Sequence, residues 1–256
     1  MSDPLDGLAG DVVHVWRARL TQPEDVVRTL EGHLSVEEAR RADQYRRELD
    51  RTRYIVAHGA LRELLATYTA QTPRTISCGH TAAGKPFLID DRGECRLSFN
   101  LSHSGEWAVI ALALSTEVGI DIEQIELDVS VDALAERFFS RNEFNALQAV
   151  PLEQRTVAFF STWTRKEAYL KARGEGIADR LRNFSVSIDS EQAPLLLTDS
   201  TDPSAALRWR LYDLDIASGY AAALAADGTT RQIRIMSWTR DLLPNHDVNS
   251  RSSACP

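Results

Sequence analysis

The chain has 256 residues, of which 43% are hydrophobic and 26% charged, and its formal net charge is −8. This composition is that of a globular protein, and the acidic balance argues against general nucleic-acid binding. No apolar run approaches the roughly 18 residues that a membrane span needs, and the acidic N-terminus lacks the apolar core of a signal peptide. The three cysteines, Cys78, Cys95 and Cys255, are odd in number and scattered, which predicts a reducing, cytoplasmic setting.

The first half of the chain is predicted to combine strands and helices. Apolar and polar residues alternate over residues 11–19, as is typical of a strand. Ser35, with Glu38 three residues later, has the capping-box pattern that predicts a helix start. A longer helix is predicted for residues 51–69, where leucines form an apolar stripe. The half is completed by a predicted loop at residues 79–86 and predicted strands at residues 97–101 and 107–114.

The second half roughly repeats this order after a turn at residues 115–117. A strand that contains Asp121 is followed by predicted helices at residues 131–139, 143–149 and 152–173. Gly174 then stands where a left-handed residue ends many helices. Late strands are predicted at residues 184–188, 207–214, 220–225 and 232–238. The polar residues from 244 to 256 are predicted to be a disordered tail.

Acidic side chains recur on two of these elements. In the Gly-Ile-Asp-Ile-Glu strand, Asp121 and Glu123 share one face while the isoleucines point into a core. On the long helix, Trp163, Glu167 and Lys171 are spaced by four residues and share a face. Three carboxylates beside a lysine are what a Mg²⁺–phosphate site needs. The alternative interpretation of Asp121 and Glu123 is that they form the polar face of an edge strand. Glu167 and Lys171 could instead form a helix ion pair, which is worth about 0.2–0.5 kcal/mol.

A local block of basic residues interrupts this acidic chain. Six arginines lie between residues 40 and 53: Arg40, Arg41, Arg46, Arg47, Arg51 and Arg53. Such a block in an acidic protein predicts a particular anionic ligand. A solvated helix face with neighbouring acids is the alternative interpretation.

Two other motifs are near misses. The segment from Gly79 to Lys85 begins like a phosphate-binding P-loop, but Pro86 stands where a serine or threonine should hold Mg²⁺. Ser102 and His103 are neighbours on a predicted strand and point to opposite faces, so they cannot form a hydrolase dyad with each other. The sequence therefore favours neither a P-loop nor a serine hydrolase.

Several of these segments together resemble one known family. The Gly-Ile-Asp-Ile-Glu strand and the Trp-x-x-x-Glu helix occur in order with Gly84-Lys85-Pro86, Asn100-Leu101-Ser102-His103-Ser104 and Arg137-Phe138-Phe139-Ser140. This series resembles the signature of the Sfp-type 4′-phosphopantetheinyl transferases over most of residues 40 to 190. The resemblance implies two similar α+β halves, residues 1–117 and 118–243, related by a pseudo-twofold axis with the ligand in the cleft between them.

The resemblance also implies an activity. A monomer would transfer phosphopantetheine from coenzyme A to a serine of an apo acyl carrier or peptidyl carrier domain, with Mg²⁺, and adenosine 3′,5′-bisphosphate would leave. No membrane or nucleic-acid partner is expected. Residues 126–151 are the expected docking region, and the carriers served are left open. Three alternative functions also stay open at this point: another Mg²⁺-dependent phosphoryl-transfer enzyme, a non-catalytic coenzyme A-binding module and a protein-interaction domain.

The family pattern assigns roles to individual residues. Asp121, Glu123 and Glu167 are the expected metal ligands, and Glu167 and Lys171 are the expected catalytic pair. The expected coenzyme A contacts are Arg41, Arg53, Lys85, Pro86, Ser102, His103, Asp121 and Lys171. Among these, the residues expected to hold the 3′-phosphate and the pyrophosphate are Arg41, Arg53, Lys85 and His103. Arg41 is exchangeable with Arg40, Arg46 or Arg47, because the family pattern is loose there.

Overall fold

The computed structural model describes residues 8–89, 97–175, 180–188, 193–228, 230 and 232–239. Cys95, Cys255 and the predicted tail from residue 244 lie outside the described residues. The helices are α1 (Glu24–His33), α2 (Val36–Ala42), α3 (Glu48–Thr69), α4 (Val131–Phe138), α5 (Arg141–Ala149), α6 (Leu152–Arg173) and α7 (Ala205–Arg208). The strands are β1 (Val12–Arg19), β2 (Cys78–His80), β3 (Pro86–Leu88), β4 (Leu97–Ser104), β5 (Trp107–Leu114), β6 (Val118–Gln124), β7 (Phe184–Val186), β8 (Leu196–Asp199), β9 (Trp209–Asp213), β10 (Tyr220–Asp227) and β11 (Gln232–Trp238).

The structure is therefore α+β, as predicted. Within the described ranges, no helix combines the length and the apolar character that crossing a membrane requires.

One sheet contains strands from both ends of the chain, in the order β11-β1-β5-β4. The central pairs are antiparallel, whereas β11 runs parallel to β1, with Val15 opposite Ile235. Helix α3 packs on this sheet, and its Leu64 shares a fully buried core with Ile110 of β5. Although β11 follows residue 118 in sequence, it pairs within the sheet of the first half. The rest of the predicted division into halves stays a prediction.

The second sheet has the order β6-β10-β9, and α6 packs across it. Small residues on β10, such as Ala223 and Ala225, lie in the core beneath the helix. Ile120 and Ile122 of β6 are fully buried on the other side, against Val13 and Val15 of the first sheet. The inward orientation predicted for the isoleucines is therefore confirmed, and the two sheets share a core.

Most predicted elements match the structure, and the capping signals are the most accurate. The Ser35 side chain accepts a hydrogen bond from the N3 amide, with the reciprocal glutamate bond of the predicted capping box, and Ser140 forms a second capping box that was not predicted. Helix α6 has the predicted bounds and ends at Gly174, whose φ is 65°. Helix α1 was not predicted. The expected loop at residues 79–86 contains the β2–β3 hairpin, whose three-residue strands are too short to show a period.

Candidate active site

The site begins with an unusually close contact between β6 and α6. A Cβ atom at Gly119 would lie 2.2 Å from the carbonyl oxygen of Ala168 and 2.2 Å from the amide nitrogen of Ala172. Only glycine allows the strand to pass this near to the helix backbone. The glycine therefore brings the acidic strand next to the helix face that carries Glu167 and Lys171.

Asp121 and Lys171 are in direct contact. The Lys171 ammonium lies 2.6 Å from Asp121 Oδ1 and 3.0 Å from the hydroxyl oxygen of Ser102. Ser102 in turn donates a hydrogen bond of 2.8 Å to the same carboxylate oxygen. Asp121 and Ser102 are buried, and Lys171 is partly exposed. The structure thus brings together three of the residues that the sequence singled out.

Alternate residues of β4 hold the acidic strand in place. Asn100 accepts a hydrogen bond of 2.8 Å from the backbone amide of Ile120, and Ser104 donates one of 2.9 Å to Glu123 Oε2. Sequence reasoning gave Asn100 and Ser104 no role at the site. Their spacing with Ser102, every second residue on a strand, is the signal that predicts a shared face.

The environment raises the pKa of two of the carboxyl groups. Burial, followed by the negative charge of Asp121, raises the pKa of Glu123 from 4.5 to about 7. The same two causes, in the same order, raise the pKa of Glu167 to about 7. Lys171 lowers both values but does not offset the repulsion. The three carboxylates are therefore close enough to disfavour one another's ionisation, which an added cation would relieve.

The donor set fits a divalent cation that prefers oxygen ligands. Asp121 Oδ2 is buried and makes no hydrogen bond to the described part of the chain. Carboxylate oxygens are the ligands that Mg²⁺ prefers. The described residues contain no group of three or more His, Cys, Asp or Glu side chains already arranged around a metal position. The chemistry of Asp121, Glu123 and Glu167 thus suits Mg²⁺, although the cage is not preassembled.

A cavity of about 1190 Å³ adjoins this cluster. Of the predicted coenzyme A contacts, Arg41, Lys85, Pro86, His103 and Lys171 line it. The predicted contacts outside its lining are Arg53, Ser102 and Asp121, and the other two carboxylates, Glu123 and Glu167, also lie outside. Lys171 therefore links the cavity to the carboxylates, since it borders both.

His103 lies on the cavity wall and is exposed to it. Desolvation by the surrounding walls lowers the pKa of its imidazole to about 4, and the positive charges of His58, Lys171 and Arg53 act in the same direction. The charge of Arg53 therefore reaches this part of the cavity. A bound anion would favour the protonated imidazole and oppose these effects.

The arginines of the basic block differ in their surroundings. Arg51 forms ion pairs with Glu31, Asp43 and Glu48, so its charge is already compensated within the protein. Arg40 and Arg41 line the cavity instead. Arg40 and Arg41 are therefore available to a ligand in the cavity, whereas Arg51 stabilises the fold.

Lys85 follows a turn that is not a P-loop. The segment after Lys85 is strand β3, whereas a P-loop leads into a helix. Its ammonium donates hydrogen bonds to Glu117 Oε2 at 2.5 Å and to the carbonyl oxygen of Ala172 at 2.7 Å. Its assignment as a phosphate contact stays a prediction.

Lys166, next to Glu167, faces away from the cluster and is completely buried. Its ammonium lies 2.8 Å from both carboxylate oxygens of Glu143 and 2.8 Å from the carbonyl oxygen of Phe184. The ring of Phe184 lies 4.1 Å from the same nitrogen. Lys166 therefore fastens α6 to α5 and β7, a role that the spacing of charges along the helix did not reveal.

Comparison with known proteins identifies the family. Residues 117–225 match the 4′-phosphopantetheinyl transferase superfamily, and residues 16–115 match the family described as 4′-phosphopantetheinyl transferase, N-terminal. The chain is 36% identical over 221 residues to 4′-phosphopantetheinyl transferase HetI from Nostoc sp., which covers 86% of this chain and 90% of that protein. It is 32% identical over 213 residues to 4′-phosphopantetheinyl transferase psf-1 from Bacillus pumilus, over 82% of this chain and 87% of that protein.

Among solved structures, one similar to this chain is a holo-(acyl-carrier-protein) synthase from Bacillus anthracis in complex with CoA. The match covers 43% of this chain and 94% of the synthase, with 24% sequence identity and a TM-score of 0.36. The sequence comparisons show that the chain belongs to the 4′-phosphopantetheinyl transferase superfamily. Transfer of the 4′-phosphopantetheine group is accordingly its enzymatic activity, as the sequence resemblance implied.

Proposed function

We propose that the chain transfers 4′-phosphopantetheine from coenzyme A to a serine of apo acyl carrier or peptidyl carrier domains and releases adenosine 3′,5′-bisphosphate. The observation that supports this most is the contact of Lys171 with Asp121, at the point where the acidic cluster borders the cavity. A pyrophosphate in the cavity would meet positive charge from the protein there. We further propose that the protein is a monomer, because one chain supplies both the cavity and the carboxylates. We propose a cytoplasmic location because its three cysteines are odd in number and scattered.

The proposed reaction breaks the pyrophosphate linkage of coenzyme A at its β-phosphorus. The carrier serine oxygen forms the new bond to this phosphorus, and the bond to the bridging oxygen breaks. Glu167 accepts the serine proton, directly or through a water. Lys171 stabilises the negative charge that develops on the leaving phosphate.

We propose that Asp121, Glu123 and Glu167 hold Mg²⁺. When bound, the ion would neutralise negative charge on the pyrophosphate oxygens. The buried and unbonded Asp121 Oδ2, together with the mutual repulsion of the carboxylates, supports this assignment.

The coenzyme A contacts are proposed along the cavity. Arg41 and His103 would face the phosphates, with Arg53 contributing charge near His103. Arginine is suited to this task because its planar fork of donors matches phosphate geometry. Lys85 and Pro86 would form the adjoining wall, and Ser102 would orient Asp121 and Lys171.

We propose that the carrier docks on exposed apolar side chains beyond the acidic strand. Leu127 follows β6 and has 80% of its surface exposed, and Leu152 at the start of α6 has 76% exposed. Arg155 pairs with Asp132, which holds the first turns of α6 and α4 next to each other. Apolar contacts suit this partner because carriers tend to be acidic around the serine, and the enzyme is acidic as well.

Intact-mass measurement of apo carriers tests the function. A panel of acyl and peptidyl carriers is incubated with the protein, coenzyme A and Mg²⁺, beside matched carriers whose serine is replaced by alanine. We expect a gain of one phosphopantetheine group on at least one serine-containing carrier and none on its alanine variant. Binding of coenzyme A with no mass gain on any carrier would instead identify a binding module.

Arg53→Ala is expected to weaken coenzyme A binding and to reduce discrimination against 3′-dephospho-coenzyme A. A hydrogen bond to a charged group is typically worth about 1.5–3 kcal/mol, so the expected loss is roughly tenfold to a hundredfold. The measurement is kcat/KM for both substrates, with Arg28→Ala on exposed α1 as the control. Equal losses for both substrates would show that Arg53 does not contact the 3′-phosphate.

Leu127→Asp is expected to raise the KM for the carrier severalfold and to leave the KM for coenzyme A unchanged. The new charge would disrupt apolar contact and repel an acidic partner. Leu207→Asp is the matched control, because Leu207 is 81% exposed on the distant helix α7. Similar carrier KM values for the two variants would exclude Leu127 from the docking surface.

A further inference from the structure

Lys85 of the β2–β3 hairpin, which forms one wall of the cavity, contacts the C-terminal end of α6. Lys85 extends from the hairpin, and its ammonium lies 2.7 Å from the carbonyl oxygen of Ala172 and 2.5 Å from Glu117 Oε2. Ala172 directly follows Lys171, and Glu117 directly precedes β6. The Lys85 side chain is only 11% exposed, so solvent does not fully screen these contacts.

The end of α6 is shaped to receive this side chain. A Cβ atom at Gly174 would lie 3.2 Å from Lys85 Cδ, so the lysine stem passes directly over the glycine. Gly174 also has a φ of 65°, which ends the helix in the left-handed region. The last carbonyl groups of a helix lack donors within the helix and carry partial negative charge. Lys85 supplies both a donor and a positive charge to one of them, Ala172.

The hairpin fixes the position from which Lys85 extends. The Thr81 amide donates a hydrogen bond of 2.9 Å to the Lys85 carbonyl, and the Lys85 amide donates one of 3.1 Å to Thr81 Oγ1. His80 and Gly84 of the same hairpin line the cavity. A displacement of the lysine relative to α6 would therefore displace this wall relative to Lys171.

We propose that Lys85 is a positioning residue that holds the cavity wall in register with the catalytic end of α6, rather than a ligand of phosphate. This inference rests on the proposed function, because it assumes that coenzyme A occupies the cavity. The competing interpretation is the family-based assignment of the Lys85 ammonium to a phosphate.

Glu117 separates the two interpretations. It is 59% exposed and is not among the residues that line the cavity. If Lys85 binds phosphate, Glu117→Gln removes a competing carboxylate, so coenzyme A affinity should stay the same or increase. If Lys85 is a positioning residue, Glu117→Gln should impair transfer in the same direction as Lys85→Met.

The experiment measures kcat/KM for coenzyme A and for 3′-dephospho-coenzyme A in both single variants and in the double variant. We expect a loss of about fivefold to twentyfold for Lys85→Met, and about twofold to fivefold for Glu117→Gln because exposed ion pairs contribute little. The double variant should be no worse than Lys85→Met alone, because the two residues act through one contact. The ratio between the two substrates should not change in any variant, and Lys85→Arg should restore most of the activity.

Two results would overturn the proposal. One is a changed substrate ratio in Lys85→Met together with unchanged or improved coenzyme A affinity in Glu117→Gln. The other is wild-type kcat/KM in both single variants. Hydrogen exchange at the amides of Gly174 and Glu175 tests the contact of Lys85 with the end of α6 without relying on enzymatic activity. Faster exchange in Lys85→Met supports the positioning contact even if the wild-type protein loads no carrier, in which case only the proposed function fails.

Discussion

Glu167→Gln is expected to reduce carrier loading by at least about 10²- to 10³-fold, the usual effect of removing one group that stabilises transition-state charge. The substitution removes both a proposed metal ligand and the proposed acceptor of the serine proton, while it keeps the size of the side chain. Loading of an apo carrier, followed by intact mass over time, measures the effect. Glu24→Gln on the exposed first turn of α1 is the control and should load carriers at the wild-type rate.

The same variant should not be less stable than the wild type at pH 8. The pKa of Glu167 in the folded protein is about 7, above its ordinary value of 4.5, so the folded state holds this proton more tightly than the unfolded state does. The free energy of unfolding of the wild type therefore falls as the pH rises between these two values, and glutamine avoids that loss. Lost activity with unchanged or increased stability at pH 8 supports a catalytic role. Near-wild-type loading would contradict the three-carboxylate site.

Lys166→Ala is expected to lower the free energy of unfolding by about 3–5 kcal/mol, because it leaves the buried carboxylate of Glu143 without its cation. Lys166 and Glu143 are 0% and 1% exposed, so solvent cannot replace the lost partner. Chemical denaturation measures the loss. Lys171→Ala, on the same helix, also removes the cation of a buried carboxylate, Asp121, but it should in addition lower turnover more than coenzyme A affinity.

A double variant distinguishes an unpaired charge from a simple packing defect. Lys166→Met with Glu143→Gln removes both charges, and the glutamine oxygen can still accept from the backbone amide of Val186. We expect this variant to be more stable than Lys166→Met alone. Equal stability of the two would indicate that the lost packing, rather than the unpaired carboxylate, causes the effect.

The elements that could be predicted from the sequence are those whose signals are local. The capping box at Ser35 and the left-handed Gly174 mark helix ends through interactions within a few residues. The alternation in Gly-Ile-Asp-Ile-Glu likewise fixes which side chains of β6 enter the core. The family resemblance, rather than these local signals, predicted that Asp121 and Lys171 belong to one site.

The features that could not be predicted depend on contacts between distant segments. The pairing of β11 with β1 is set by the packing of the whole chain, and the alternation in either strand does not specify it. The partners of Lys85 and Lys166 likewise come from other elements, so no local pattern could predict these contacts. The contacts of Ser104 and Asn100 with β6 depend on how β4 packs beside β6, which becomes visible only in three dimensions.

Proton release on Mg²⁺ binding tests the carboxylate site most directly. Mg²⁺ is titrated calorimetrically into the protein–coenzyme A complex at about pH 6.5, in buffers of different ionisation enthalpy, and the heat of Mg²⁺ binding to coenzyme A alone is subtracted. Because Glu123 and Glu167 have pKa values of about 7, binding should release protons at this pH and almost none at about pH 8.5. The Glu123→Gln/Glu167→Gln variant should show no such release. Heats that are independent of the buffer at about pH 6.5 in the wild type would contradict a metal site built from these carboxylates.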